Sequence, residues 1–302
     1  MSRIPALAGT ADTPRAPAGG RHGTGEEHGR RPDRGGLLEA EERVAAGVGR
    51  ALEAVFAAVA ETRADTAALL ARVADAGRRP VSADLAALRP GLHPRLAREE
   101  LVSGVGFVAA PGLLSDVPAW LEWWQSTAEG EVRPLLLDLD PRQSAYSDYT
   151  HWDWFALPRD TGLRAVAGPY VDYLCSDEYS LTLSAPVELA GRFAGVAAAD
   201  VYLRHFEDAA LPLLRELPGP AHLVNARGRV AASADPAHLA GSLTKGHDFA
   251  AVLREGRTVT GAGPGVRLVP CRGLPLVLVW RTATEDSVRA AAAGVGPAPS
   301  AT

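Results

Sequence analysis

The sequence predicts an α+β protein in which one long helix precedes two units of antiparallel sheet. Three observations predict it. Val44, Val48, Leu52, Val55, Val59, Leu69, Leu70 and Val73 recur at spacings near three and four among Glu, Arg and Ala, the period of a single helix face. The segments 179–187 and 192–200 are apolar, alternating runs separated by a turn at Gly191, which reads as an antiparallel hairpin. Strand-like runs with tight turns return at 222–233 and 266–280. Runs of antiparallel strands flanked by helices belong to α+β architectures, whereas parallel α/β folds alternate strand with helix.

Residues 1–36 are rich in Gly, Pro, Arg and small polar residues without an apolar period and are expected to form a disordered tail. The long helix runs from Leu37 to about Ala76 and stops at Gly77-Arg78-Arg79-Pro80. Its apolar stripe needs a cover, either a sheet face or its twin in a homodimer. Ser82–Arg98 reads as a helical connector, closing a segment that spans 37–95. The first sheet unit is expected over 96–205. It begins with a buried strand over 101–110, ended by Pro111-Gly112. Trp120, Trp123 and Trp124 follow at helical spacing or at a strand start, a pattern more usual for core than for a ligand site. A strand over 132–137 ends at Asp138-Leu-Asp140-Pro141, and Pro186 marks an edge or a strand end. The second, smaller unit is expected over 206–285. It contains a helix over 206–217 stopped by Pro218-Gly219-Pro220, strands at 222–225 and 229–233, and a hairpin turning at Arg272-Gly273. An Ala/Gly/Pro-rich tail, 286–302, closes the chain.

With 302 residues, 47% of them hydrophobic and 22% charged, the chain can bury one large core or two small ones. A formal net charge of −5 excludes nucleic acid as the main partner, because phosphate binding needs a basic face. Cys175 and Cys271 are far apart, which suggests neither a disulfide framework nor a zinc site. The first residues lack the apolar stretch of a signal peptide, and apolar runs such as 274–280 fall short of the roughly 20 residues that span a bilayer. No membrane association and a cytoplasmic location are the expectation.

The densest chemistry lies between Tyr146 and Asp200. The run Tyr146-Ser-Asp-Tyr149-Thr-His-Trp152-Asp-Trp154-Phe155 is aromatic in a chain with only 6% aromatics. Tyr170 and Asp172 follow Gly168-Pro169, and Asp200 ends an apolar strand. Ring faces attract a cation and a carboxylate neutralises it, so Tyr149, Trp152, Trp154, Tyr170 and Asp200 suit a small cationic ligand of the alkylammonium kind. Each has a structural alternative. On an alternating pattern Trp152 or Trp154 points into the core, Tyr170 caps a turn, Asp200 caps the next helix, and Asp172 and Asp177 are loop carboxylates. No nucleophile–base pair accompanies the group, so no catalytic residue is assigned and the chain is not expected to be an enzyme. His151 has no partner at metal-ligand spacing. His222, His238 and His247 are spread over loops, Gly261–Gly265 lacks the GK[ST] ending of a phosphate loop, and Asp138 with Asp140 offers too few ligands for calcium. No metal or other cofactor is expected.

The order of elements resembles the double Cache sensor domains, whose modules carry a PAS-like sheet behind a long N-terminal helix. Three passages carry the resemblance: Trp154-Phe155 leading to Gly168-Pro169-Tyr170-Val171-Asp172; Ser180–Val187 with Gly195-Val-Ala-Ala-Ala-Asp200; and Leu223–Pro236, similar to the start of the family's membrane-proximal module. In amino-acid-binding members a Tyr, Arg, Trp and Tyr cluster precedes a further Tyr and a late Asp. Trp154, Tyr170 and Asp200 match three of these. Trp152 stands in place of the carboxylate-gripping Arg, Phe155 replaces a Tyr, and Ser147 occupies the first Tyr position. The resemblance implies a ligand site made of Tyr149, Trp152, Trp154, Phe155, Tyr170, Asp172 and Asp200, which keeps the amine half and lacks the bidentate grip on a carboxylate. It implies a sensor of a small amine-like metabolite that signals through a separate protein partner, with homodimer contacts through the long helix. The alternatives are an interaction module with a degenerate pocket filled by Trp152, and an enzyme reusing the fold with Asp200 or His151 as general base.

Overall fold

The computed structural model describes residues 34–127, 130–137, 139, 148–172 and 178–282. The expected tails, the pair Asp138 and Asp140, and Tyr146, Ser147, Cys175 and Asp177 lie outside them, except that the helix takes in Arg34–Gly36. Helix α1 (Arg34–Asp75) is 42 residues long, about 63 Å at the usual rise. Its stripe Val44, Val48, Leu52, Val55, Val59 and Leu70 is fully buried within the chain, so the sheet supplies the cover and the stripe is not free for a twin. Thr62 and Thr66 are buried mid-helix, where each hydroxyl donates to a carbonyl one turn back, Ala58 O at 2.9 Å and Thr62 O at 2.7 Å. Gly77, at φ +72°, ends the helix. A connector of two short helices, α2 (Ser82–Leu85) and α3 (Arg89–Arg98), returns the chain along α1.

The first sheet contains β1 (Gly104–Ala109), β2 (Leu121–Ser126), β3 (Val132–Pro134), β4 (Ala165–Val171), β5 (Tyr179–Leu189) and β6 (Arg192–Tyr202), with α4 (Asp153–Thr161) before β4. The strand order is β3-β2-β1-β6-β5-β4, and every neighbouring pair is antiparallel. The β5–β6 turn has positive φ at both Ala190 (49°) and Gly191 (72°), as a two-residue hairpin of matching twist requires. The period of two sorts the side chains. Val105, Phe107, Leu181, Leu183, Ala197 and Ala199 join the core under α1, while Val108, Val196 and Ala198 face the other side with Tyr149 and Phe155. Pro186 sits where β5 has run past the start of β4, so its stretch of β5 is a local edge. Its carbonyl accepts from Arg63 Nε at 2.8 Å.

Of the two placements the sequence allows for Trp123 and Trp124, the strand is the observed one: both lie on β2 and therefore point to opposite faces. Trp124 packs beside His93 and donates to Glu122 Oε1 at 2.9 Å. The aromatic run is not an alternating strand: Tyr149–His151 form one 3-10 turn and α4 begins at Asp153. Asp148 caps the turn by accepting from the Thr150 amide at 2.9 Å.

Helix α5 (Leu203–Leu214) leads into the second sheet, made of β7 (Ala221–Asn225), β8 (Val230–Ser233), β9 (Val259–Thr260), β10 (Val266–Pro270) and β11 (Leu276–Arg281), with α6 (Phe249–Glu255) before β9. Its order is β8-β7-β11-β10-β9, again antiparallel throughout. One face, with Leu223, Leu278 and Trp280, continues the core that runs under α1 and α5. The other, with Val224, Val277 and Val279, is packed by Phe249 and Val252 of α6. Helix α1 touches both sheets, for Glu41 near its start pairs with Arg267 of β10 and accepts from Trp280 Nε1 at 2.7 Å. Among the described residues no helix is long and apolar enough to cross a membrane.

Candidate ligand site

The face of the first sheet turned away from α1 carries a cleft of about 530 Å³, counting space open to solvent. Its floor comes from three strands. In register, Thr182 on β5 lies opposite Asp200 on β6, and Asp200 lies opposite Gly104 on β1. The two glycines of β1 leave room for an indole: a Cβ at Gly104 would come within 2.8 Å of Trp123 Nε1, and one at Gly106 within 2.2 Å of the Glu122 carbonyl. Trp123 thus lies across β1 at the cleft, and its buried Nε1–H has no hydrogen-bond partner among the described residues.

Tyr149, Trp152, Trp154, Tyr170, Asp172 and Asp200 all line this cleft. Phe155 does not. Consecutive residues on a helix point about 100° apart, so while Trp154 turns to the cleft, Phe155 turns inward. It is 1% exposed and packs edge-on against Tyr149 and Phe193, at ring separations of 5.2 and 5.4 Å. Its role is to support Tyr149, which is also fixed by donating to the Ala109 carbonyl at 2.8 Å. Tyr149 stacks on Trp154 (6.2 Å, 18°), and Trp152 meets Tyr170 edge-on (5.8 Å, 66°). Trp152 is a wall of the cleft. His151 does not line it; its side chain is 71% exposed, 3.7 Å from Asp148.

Asp200 is no helix cap, because β6 continues past it to Tyr202. Thr182 Oγ1 donates to its Oδ1 at 2.6 Å. Since that donation uses the only proton of the threonine hydroxyl, the Tyr170 hydroxyl donates to Thr182 in turn. Removal from water, and then the neighbouring charge of Asp172, push the Asp200 carboxyl up to about 7, against the smaller opposing effect of Thr182. Asp172, 7% exposed at the end of β4, is part of the site and not a solvated loop carboxylate.

Tyr170 reaches the cleft because the β4–β5 register shifts between Ala167 and Tyr170. Gly168, within that irregularity, has φ +106°, and a Cβ there would meet the Ser180 carbonyl at 2.6 Å. Gly168→Ala is therefore expected to lower stability by about 1–3 kcal/mol through backbone strain, as read by urea unfolding. A loss below about 0.5 kcal/mol would mean that this geometry is not required.

Sequence reasoning missed Val108, Leu121, Trp123, Leu135, Leu137, Leu139 and Thr182, the other described residues of the lining. Thr182 was visible as a polar residue in an apolar strand. For Leu135, Leu137 and Leu139 there was no signal, since the segment after β3 follows no regular pattern.

No protein-family model matches the chain, and no curated protein matches it in sequence. Solved structures do match in fold. Methyl-accepting Chemotaxis protein X aligns with a TM-score of 0.58 at 17% identity, over 82% of this chain and 97% of that one. The ligand-binding domain of the Campylobacter jejuni chemoreceptor Tlp3 in complex with L-norvaline aligns at 0.55 and 13%, over 81% and 88%. The extracellular domain of the putative histidine kinase soHK1S-Z6 aligns at 0.54 and 16%, over 84% and 95%. The chain thus has the Cache-like fold of chemoreceptor and histidine-kinase sensory domains, a long helix followed by two antiparallel sheets.

Proposed function

We propose that this protein is a small-molecule sensor whose first sheet binds an organic amine. The observation that carries the reading is a pair of carboxylates, Asp172 and Asp200, at the floor of a cleft walled by Tyr149, Trp152, Trp154 and Tyr170. Among the described residues that line it there is no Lys, Arg or His. Carboxylates and aromatic ring faces both favour a positively charged guest. Among the described residues of the lining, none offers a carboxylate the bidentate grip of an arginine. The free Nε1–H of Trp123 suits a hydrogen-bond acceptor on the ligand, such as a hydroxyl or ether oxygen, and the leucine wall suits an apolar body. The ligand class that fits this lining is an amine with an apolar or aromatic body. The neighbour crystallised with L-norvaline lends the fold a precedent for amine-bearing ligands.

Two desolvated cation–π contacts at about 2 kcal/mol each, added to an ion pair, are consistent with roughly micromolar binding in a preorganised cleft. The bound state reaches a separate partner by way of α1, which packs on both sheets and so feels a change in either.

A thermal-shift screen tests this. Alkyl and arylalkyl amines should raise the melting temperature, with about 2.7 kcal/mol of stabilisation at a hundredfold excess over Kd. The parent amino acids and simple carboxylates should not. Stabilisation by carboxylates alone, or by no amine in a broad set, would overturn the assignment.

A further inference from the structure

The second sheet holds an independent cluster. His222 lies on β7, and Asp235 and His238 lie on the segment after β8. Each offers one ligand atom, and these atoms lie within 4.8 Å of one another. We propose that His222, Asp235 and His238 bind a divalent transition metal of the zinc type, with a fourth position open to water or a small anion.

His222 is 4% exposed, and neither of its ring nitrogens has a hydrogen-bond partner. An imidazole buried with both nitrogens idle is costly unless something occupies one of them. The carboxylate is already oriented. Asp235 Oδ1 accepts from the Ala237 amide at 3.0 Å, which leaves Oδ2 to His238 Nδ1 at 2.9 Å, the kind of outer support that metal ligands receive. The two imidazoles stack at 4.2 Å and 16°. Metal–ligand bonds of about 2.0–2.2 Å in a tetrahedral zinc site set the ligand atoms roughly 3.3 Å apart, so the present set needs a small closure to hold an ion.

The cleft around the cluster also carries Lys245, His247 and Arg281, which raises the competing reading of an anion site. The Asp235 carboxylate at its centre weighs against an anion there and for a cation. His247 is not a ligand, because its Nε2 already accepts from the Ala262 amide at 3.0 Å. The basic neighbours instead suit an anionic fourth ligand.

The test uses the full chain, stripped with a chelator and titrated with Zn²⁺ by calorimetry and with Co²⁺ by visible absorption. One equivalent should bind, with the intense d–d bands of tetrahedral cobalt. His222→Ala and His238→Ala should each weaken it by about a hundredfold or more, beyond the loss of an outer-shell partner. The half-exposed His238 serves as the variant least able to disturb folding, checked by circular dichroism. His247→Ala should retain the metal, as should Asp200→Asn, which separates this site from the amine cleft. No binding by the folded chain, or binding unchanged in both histidine variants, would overturn the site. So would a melting temperature that responds to inorganic phosphate through His222 but not to zinc.

Discussion

Asp200→Asn is expected to weaken amine binding by about a hundredfold or more while making the ligand-free protein more stable above pH 7. The binding loss follows from removing one partner of an ion pair formed out of water, for which about 3 kcal/mol is typical. The stability gain follows from the raised carboxyl. Asp200 titrates at about 7 in the folded chain against 3.8 for an ordinary aspartate, so between those values the folded state holds a proton that the unfolded state has released. Stability therefore falls as pH rises through this window, by up to about 1.4 kcal/mol per unit, and the penalty is complete above pH 7. Asparagine keeps an acceptor for Thr182 and carries no such penalty. The same proton sets the pH dependence of binding. An ammonium ligand needs Asp200 ionised, so affinity should rise about tenfold per unit from pH 5 to 7 and then level off. Calorimetry in buffers of different ionisation enthalpy should detect the released proton. Wild-type affinity that is flat across this range, or an Asp200→Asn protein that binds amines normally, would remove Asp200 from the site.

The fold was more legible than the site, for a reason of geometry. Val44 to Val73 and the 179–200 hairpin have periods that survive in one dimension, and both elements appear where the sequence puts them. Tyr170 and Asp200 were accessible because they stand beside breaks in apolar strands. Trp123 was not, because its face depends on β2 pairing with β1, and on two glycines that let the indole lie flat. Trp152 and Trp154 reach the cleft from a 3-10 turn and a helix start, which a reading of the run as a strand does not show. The same limit hid the histidines. His222 and His238 share no local spacing, and the chain beyond β8 must fold back onto β7 before they and Asp235 become a set of ligands.

At the far end of α1, Glu41→Ala is expected to cost about 3–5 kcal/mol in unfolding free energy. Glu41 is 2% exposed, and its two oxygens receive the Arg267 guanidinium and the indole N–H of Trp280, itself 1% exposed. Removing the carboxylate strands a buried donor in the core and a guanidinium that is 24% exposed. The charge can therefore draw partly on water, which places the cost toward the lower end of that range. Glu41→Gln keeps an acceptor for Trp280 and should recover part of the loss. Urea unfolding followed by far-ultraviolet circular dichroism and by tryptophan fluorescence measures both variants. A cost under 1 kcal/mol would mean that the contact is incidental. The sharper consequence concerns the connection between the sheets. Helix α1 reaches the second sheet through this triad and the first through its apolar stripe, so an intact Glu41 should make both unfold as one transition. In Glu41→Ala the second sheet should melt ahead of the first, with the two probes no longer coincident. Coincident transitions in that variant would assign the coupling to the shared apolar core beneath α5 instead.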